Sequence, residues 1–350
     1  MATMQDVARR AQVSLSTVSY ALSGTRPVSD ATRRRIEDAM ADLGYQPNAM
    51  ARGLASRRSN VLALIYPAME KGLGGTVAEF VSSAADTARE NGYHLVLWPF
   101  RTTQASEVRD LVRQGMADGV LLMEVALDDD RVDVLHEAGV PYTMIGRTRD
   151  VTDRPSVDID FGRTTDDAVG HLVDLGHRHI ALVNHSQATV EDGYAPTFRA
   201  EEGFDAAMRA RGLEPLSLRV DESPEAGRTA VGRLLDAEPR LTALVTMNEI
   251  ATFGVVAELQ QRGIAIPGDM SILSIVTSPG VGAMSNPPLT TMHAPGAELG
   301  RLGVQKLLSL VDGSRPSTPN VLIPCALEPG SSVAPATHGD GRPDGGLPAR

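Results

Sequence analysis

The stretch SLSTVSYAL, residues 14–22, brings the hydroxyls of Ser14, Ser16, Thr17 and Ser19 and the phenol of Tyr20 into about two helical turns. A solvated helix face normally carries Lys and Glu. Hydroxyls that both donate and accept suit phosphate oxygens and base edges instead, and an apolar Leu15 beside them suits a thymine methyl. At 100° per residue, placing Val18 at the core sets Leu22 beside it and Leu15 close by. Ser16 and Tyr20 then point directly away, with Thr17 and Ser19 on the flanks.

Such a face needs a scaffold, and the flanking sequence supplies one. Thr3 with Asp6 forms a capping box for a first helix whose Val7, Ala8 and Ala11 share one side. Val13–Ser14 makes a short turn into the second helix. Ser29 or Asp30 caps a third, ATRRRIEDAMADLG, with Ile36, Met40 and Leu43 as its buried stripe and Gly44 as its stop. Three short helices with a tight first turn fit a helix-turn-helix head. Residues 1–60 hold nine Arg against five Asp/Glu, or +4, while the whole chain carries −11. A basic head on an acidic body is the asymmetry expected when one end meets phosphate. The segment that follows, YQPNAMARGLASRRS, is too short to be a stable helix alone and contains Gly53. Its Leu54 has no core of its own to enter.

These residues carry a resemblance. TMQDVARRAQVSLSTVSYALSG followed by VSDATRRRIEDAMADLGYQPNAMARGLA resembles the N-terminus of LacI/GalR-family bacterial transcription regulators over nearly sixty residues. The resemblance implies that Leu15, Ser16 and Tyr20 contact base edges in the major groove. It implies that Ser14, Thr17 and Ser19 contact phosphates. It further implies that Asn48 to Ala55 form a hinge helix ordered by operator DNA, with Leu54 wedging into the minor groove. One departure falls at the turn, where the family's usual glycine is Gln12; a positive φ there would strain it.

From residue 61 the chain alternates aliphatic runs with helical stretches. Strands are expected at 61–66, 93–98, 119–123, 141–146, 179–184, 216–220, 243–247 and 271–276. Helices are expected near 197–211, 224–237 and 248–262, with SNPPLTTMHAP as a crossing segment before a last helix from Gly296. The fold class is α/β: an all-α head, then two doubly wound subdomains with a ligand at the strand C-termini between them. The boundaries are 1–46 for the head, 47–60 for hinge and linker, 61–330 for the effector-binding and dimerisation core, and 331–350 for a Gly/Pro-rich tail without fixed structure. The core also resembles the family, whose effector domain is similar to a periplasmic sugar-binding protein. That resemblance carries Asp160 in VDIDFG, Arg199 before EEGF and Asn248 in TMNEIA to effector binding. Tyr66 and His185 join them on strand-end position alone. Asp accepts paired hydroxyls and Arg donates a planar fork; a strand-end Asp equally serves to cap the next helix. Three departures open the effector to a different sugar, a glycoside or a non-sugar metabolite. Val276-Thr277 stand where the family often has Asp, Asn248-Glu249 replace Asn-Asp, and Arg199 lies four rather than three residues before Gly203.

With 350 residues and 42% hydrophobic content the chain supports two or three domains. Cys325 is the only cysteine, so no internal disulfide forms, which suits a reducing cytoplasm. The polar start MATMQDVARR has no apolar signal core, and no run nears the about 18 apolar residues that span a bilayer. GLGGTV lacks a full nucleotide-binding pattern, and HRH at 177–179 lacks a third metal ligand. DDD at 128–130 reads as a solvated helix start. No nucleophile elbow or catalytic set assembles, and no cofactor or metal is expected. The expectation is a cytoplasmic, homodimeric, ligand-responsive repressor on double-stranded operator DNA, with a sugar or related metabolite as effector. The alternative is a cytoplasmic small-molecule binding or processing protein without operator function.

Overall fold

A computed structural model describes residues 2–23, 26–45, 58–66, 75–98, 105–314 and 320–337. Asn48 and Leu54, with the expected hinge helix around them, lie outside the described residues, as do Gly72 to Gly74 of GLGGTV and residues 338–350 of the tail.

The head is three helices, α1 (Met4–Arg10), α2 (Leu15–Ser23) and α3 (Asp30–Leu43). Thr3 and Asp6 close the capping box on α1, Ser29 caps α3, and Gly44 ends it in the left-handed region at φ 59°. Val7, Val18 and Ile36, each essentially inaccessible, form the centre with Ala8, Ala11, Ala21 and Ala39. Met40 and Leu43 are only half-buried at its edge, so small alanines carry more of the α3 contact than the expected stripe allowed.

The core holds two six-stranded sheets. The first contains β1 (Val61–Ile65), β2 (His94–Trp98), β3 (Gly119–Leu122), β4 (Tyr142–Ile145), β5 (Ser156–Ile159) and β11 (Asn320–Ile323), in the order β11-β5-β4-β3-β1-β2. The second contains β6 (Ile180–Asn184), β7 (Leu216–Arg219), β8 (Ala243–Thr246), β9 (Ser271–Ile275), β10 (Thr290–His293) and β12 (Ala326–Glu328), in the order β12-β10-β9-β8-β6-β7. Every pairing is parallel except β10 with β12. Parallel strands covered on both faces must be apolar throughout, and β1, β3, β4, β6, β8 and β9 are buried almost end to end.

Around the first sheet lie α4 (Gly75–Glu90), α5 (Ala105–Gln114), α6 (Asp130–Glu137) and, from far along the chain, α13 (Gly296–Val311). Around the second lie α7 (Phe161–Asp174), the short α8 (Gln187–Glu191), α9 (Ala195–Ala210), α10 (Pro224–Ala237), α11 (Glu249–Gln261) and the four-residue α12 (Pro279–Gly282). Helices α10 and α11 touch backbone to backbone: a Cβ at Gly227 would collide with the Ala251 carbonyl, and one at Gly254 with that of Pro224. The chain passes between subdomains after β5, after β10 and after β11. The Asp160 N–H donates to the Ile323 carbonyl at 2.9 Å, which ties two of these crossings together.

Four expectations need correction. SNPPLTTMHAP is not only a crossing: its TTMH forms the parallel strand β10. Residues 331–337 belong to the second subdomain rather than to a tail without structure. Ser332 is fully buried and accepts from Thr290 N at 2.8 Å, and the Ala334 carbonyl meets His177 Nε2 at 3.0 Å. Asp129 of DDD is buried against Arg131, its Oδ2 2.6 Å from Nη2, while it caps α6. Finally, Leu15 is 48% exposed instead of nearing the core.

Candidate functional site

Two regions gather polar groups with defined geometry. The first is the start of α2. Ser14 caps the helix, its Oγ accepting from Thr17 N at 3.0 Å and lying 2.7 Å from Thr17 Oγ1 and 2.8 Å from Ser16 Oγ. Ser14, Leu15 and Ser16 are exposed, and Thr17, Ser19 and Tyr20 are half-buried around them. The positive end of the helix dipole and a cluster of hydroxyls therefore face outward together, a ready anion and base-edge contact. Arg26 stacks over the Tyr20 ring, 5.2 Å from its centroid, and orients the phenol. Arg33 reaches back to the Ala21 carbonyl at 3.3 Å, fixing α3 against α2. Gln12 takes φ 54°, so the turn does require the left-handed region that its family position usually fills with glycine.

The second region is the cleft between the two sheets. In each sheet the strand order reverses at one point, between β1 and β3 and between β6 and β8. Loops leaving the carboxyl ends of such strands diverge and leave a crevice. Tyr66 follows β1, Met123 and Glu124 follow β3, His185 follows β6, and Met247 to Glu249 follow β8. All of them line one cavity of about 250 Å³, near the low end of small-ligand sites. Both subdomains contribute. They are also stitched along one side by backbone bonds, Leu127 N to Gly193 O at 2.8 Å and Ala195 N to Val125 O at 3.2 Å.

Three of the five expected effector residues reach this cavity. Tyr66 is buried in its floor, and its phenol is pushed well up, first by burial and then by the Glu124 and Glu222 charges. His185 lies at its rim, Nδ1 2.9 Å from Glu222 Oε1, with its ring edge-on to Tyr194. Asn248 lines it too, but its amide is committed to the fold: Nδ2 donates to Val220 O at 2.9 Å and Oδ1 accepts from Ala251 N at 3.1 Å. Arg199 stands behind the cavity, with Nη1 3.6 Å from Asp158 Oδ2 and Nη2 donating to Thr148 O.

Asp160 does not line the cavity. It caps α7, Oδ1 accepting from Arg163 N at 2.9 Å, because β5 ends at Ile159 and the residue falls in the crossing between subdomains. The cleft carboxylate on this strand is Asp158, two residues earlier. It is 4% exposed, lines the cavity, and its Oδ2 has no hydrogen-bond partner among the described residues. Burial pushes its carboxyl up to about 6 against the opposing pull of Arg199 and Arg147.

Glu124, Tyr194, Glu222 and Glu249 also line the cavity. Tyr194 donates to Glu124 Oε1 at 3.2 Å, and Thr76 donates to Glu249 Oε1 at 3.3 Å. Burial raises the Glu249 carboxyl and holds Tyr194 well above the usual phenol range. Glu124 sits at φ 54° and Val276 at φ 58°, both unfavourable for their side chains. Arg131, locked on Asp129, donates to the Glu124 carbonyl at 2.7 Å and so holds that backbone in place. Glu124 and Glu222 follow strand ends, as Tyr66 and His185 do; that shared position was the signal that could have found them. Cys325 is buried in the third crossing, its thiol pushed up to about 12 by burial, and is unsuited to nucleophilic work. Among the described residues there is no cluster of three metal-ligating side chains and no helix long and apolar enough to cross a membrane.

Residues 3–48 match the model for bacterial regulatory proteins of the lacI family, and residues 169–333 match a periplasmic binding protein-like domain. Catabolite control protein A of Priestia megaterium is 28% identical over 333 residues, 93% of this chain and 97% of that protein. The HTH-type transcriptional repressor CytR of Escherichia coli K12 is 29% identical over 331 residues, 93% and 94% of the two chains. Among solved structures, the transcriptional regulator CelR in complex with cellobiose superposes with a TM-score of 0.71 at 26% identity, over 95% of this chain and all of that one. The lac repressor dimer bound to operator and the anti-inducer ONPF gives 0.79 over 95% and 99%; at 24% identity it speaks to the fold alone.

Proposed function

Because the chain belongs to the LacI family of bacterial regulatory proteins, we propose that it acts as a homodimeric transcriptional repressor whose hold on operator DNA is set by a small molecule, a sugar or related metabolite, in the interdomain cleft. The family regulates transcription and is not enzymatic. One observation carries the reading: an outward hydroxyl-and-leucine helix face and a two-subdomain cavity occur on a single chain. Leu15, Ser16 and Tyr20 read base edges in the major groove, while Ser14, Thr17 and Ser19 position the head on phosphates. Asn48 and Leu54 belong to a hinge that orders on DNA, with Leu54 prying open a minor-groove step. Two heads on a two-fold dimer require a pseudo-palindromic site. Acting on the bacterial chromosome, the protein works in the cytoplasm.

In the cleft, Asp158, backed by Arg199 and Arg147, presents an acceptor, and Tyr66, Tyr194, His185 and Glu249 complete the walls. Ligand bridging the two subdomains changes their relative angle, hence the spacing of the two hinges and of the heads. The relatives support these roles: CytR is a repressor, and CelR was solved with cellobiose.

The test is a gel shift on DNA upstream of the protein's own gene across a salt series. A repressor of this kind shifts a discrete site and loses affinity by about 10³-fold or more between 50 and 200 mM salt, as condensed counterions are released. No shift, or a shift indifferent to salt, contradicts the reading.

A further inference from the structure

The last three residues of the linker, Arg58, Ser59 and Asn60, have no apolar side chain to bury, yet three separate parts of the core hold them. Asp118, in the loop between α5 and β3, accepts from Ser59 N at 2.7 Å, from Ser59 Oγ at 2.9 Å and from Asn60 N at 2.8 Å. His94, which opens β2, donates its N–H to the Asn60 carbonyl at 2.9 Å. Arg58 donates Nη1 to Asp312 Oδ1 at 2.9 Å and Nη2 to the Val311 carbonyl at 3.1 Å, both at the C-terminus of α13. The Tyr93 phenol, just before β2, bonds the same guanidinium. A cation on the last carbonyls of a helix also meets the negative end of its dipole. Asn60 itself takes φ 53°, a left-handed turn that the Asp118 and His94 bonds fix from either side. A chain that merely passed from head to body would need none of these ties.

The far partner of this clamp is a rod. Helix α13 has 16 residues, which at 1.5 Å each gives a length of about 24 Å. Its first turn places Leu299 on the cavity wall, and its last turn holds Arg58. Between the two it is seated tightly. A Cβ at Gly300 would collide with the Phe80 carbonyl of α4, and one at Gly119, next to Asp118, would meet Leu307 and Val311. One helix therefore touches the cleft at one end and the root of the DNA-binding arm at the other.

Resting on the regulator reading, we propose that Arg58 is a positioning residue for operator recognition. By fixing the root of each arm to α13, beside the Asp118 loop, it makes the core dimer set the half-site spacing that the two heads accept. Arg58 needs no contact with DNA for this role. In the proposed regulator the hinge orders on the operator, so the joint left between head and body is the one at residues 58–60. Because α13 begins at the cleft, movement of the cavity wall moves that joint.

The side chains of Arg58 and Asp312 are 45% and 63% exposed, so their pairing contributes little to stability and its loss leaves the fold in place. The test uses full-length protein and the operator that wild type selects from randomised DNA. The centre of that operator is lengthened or shortened by one base pair, which moves one half-site by about 3.4 Å and about 35° relative to the other. Wild type should lose about tenfold or more in gel-shift affinity, the size of a lost base contact. Arg58→Ala and Asp312→Ala should each shrink that penalty by about threefold or more, the amount an exposed ion pair supplies. Base preference within each half-site should stay as in wild type. Arg58→Lys, which keeps a cation at the Val311 carbonyl, should retain more of the penalty than Arg58→Ala. Arg89→Ala, which removes an exposed pair with Asp86 on α4, should behave as wild type. A wild type indifferent to spacing, a penalty unchanged in both clamp variants, a loss of affinity equal at every spacing, or the same relaxation in Arg89→Ala overturns the proposal. A wild type that selects a discrete site, with variants that keep its spacing, loses only the clamp; one that selects no site loses the regulator, and the clamp's role with it.

Discussion

Two positions separate Asp158 from Asp160, and the end of β5 falls between them. The motif VDIDFG made both visible, but the choice between them depended on where the strand stops, and a four-residue strand with an acid inside it gives little periodic signal. Asp160 became a helix cap and Asp158 the cleft acid. Arg199 was legible as a planar fork for the effector, but its described partners are Asp158 and the Thr148 carbonyl. Burial gives Asp158 a measurable signature. Its folded pKa of about 6 exceeds the unfolded value, so between about pH 4 and 6 the folded state holds the extra proton. The associated stability is fully present below the unfolded pKa and is lost as pH rises through about 6. Urea unfolding of wild type and Asp158→Asn should show their difference moving in favour of wild type by about 1 kcal/mol from pH 7 to pH 5. A difference that stays flat over this range contradicts the assignment.

At the level of elements, caps, stops and strand ends were the most legible features, because each rests on a local rule. Thr3 with Asp6 and Ser29 start head helices through their side chains, and Gly44 ends α3 through its left-handed backbone. The strand-end rule found Tyr66 and His185 and, applied to every strand, would have reached Glu124 and Glu222. The rest was hidden for physical reasons. Pro287 and Pro288 masked β10, and the Gly/Pro content of the last segment masked residues 331–337, which are held by Ser332, Ser271 and His177 bonding to backbone rather than by an apolar stripe. In the proposed regulator helix α2 is the reading element, and Arg26 packs over the Tyr20 ring. Tyr20→Ala should weaken operator binding and relax preference at one base pair of each half-site by about 1–3 kcal/mol. A randomised-site selection that returns the wild-type preference would remove Tyr20 from base readout.

Across the whole molecule, residues 1–60, the head with its hinge and linker, carry +4, and the body that follows carries −15. This division keeps phosphate attraction at one end. The doubly wound α/β core was legible as alternating aliphatic runs and helices, whereas the cavity became definable only when both strand-order reversals were seen to face each other. In the proposed regulator the head and cleft are two sites coupled through a dimer and its hinges, and coupling between binding sites is reciprocal. The most direct measurement is the affinity of a cleft-binding ligand, found by thermal shift, for the full-length protein with and without saturating operator. The same factor must appear in operator affinity with and without that ligand. A matched change of about 5-fold to 150-fold in both is predicted. A ligand that fills the cleft and leaves operator affinity unchanged would contradict the central claim.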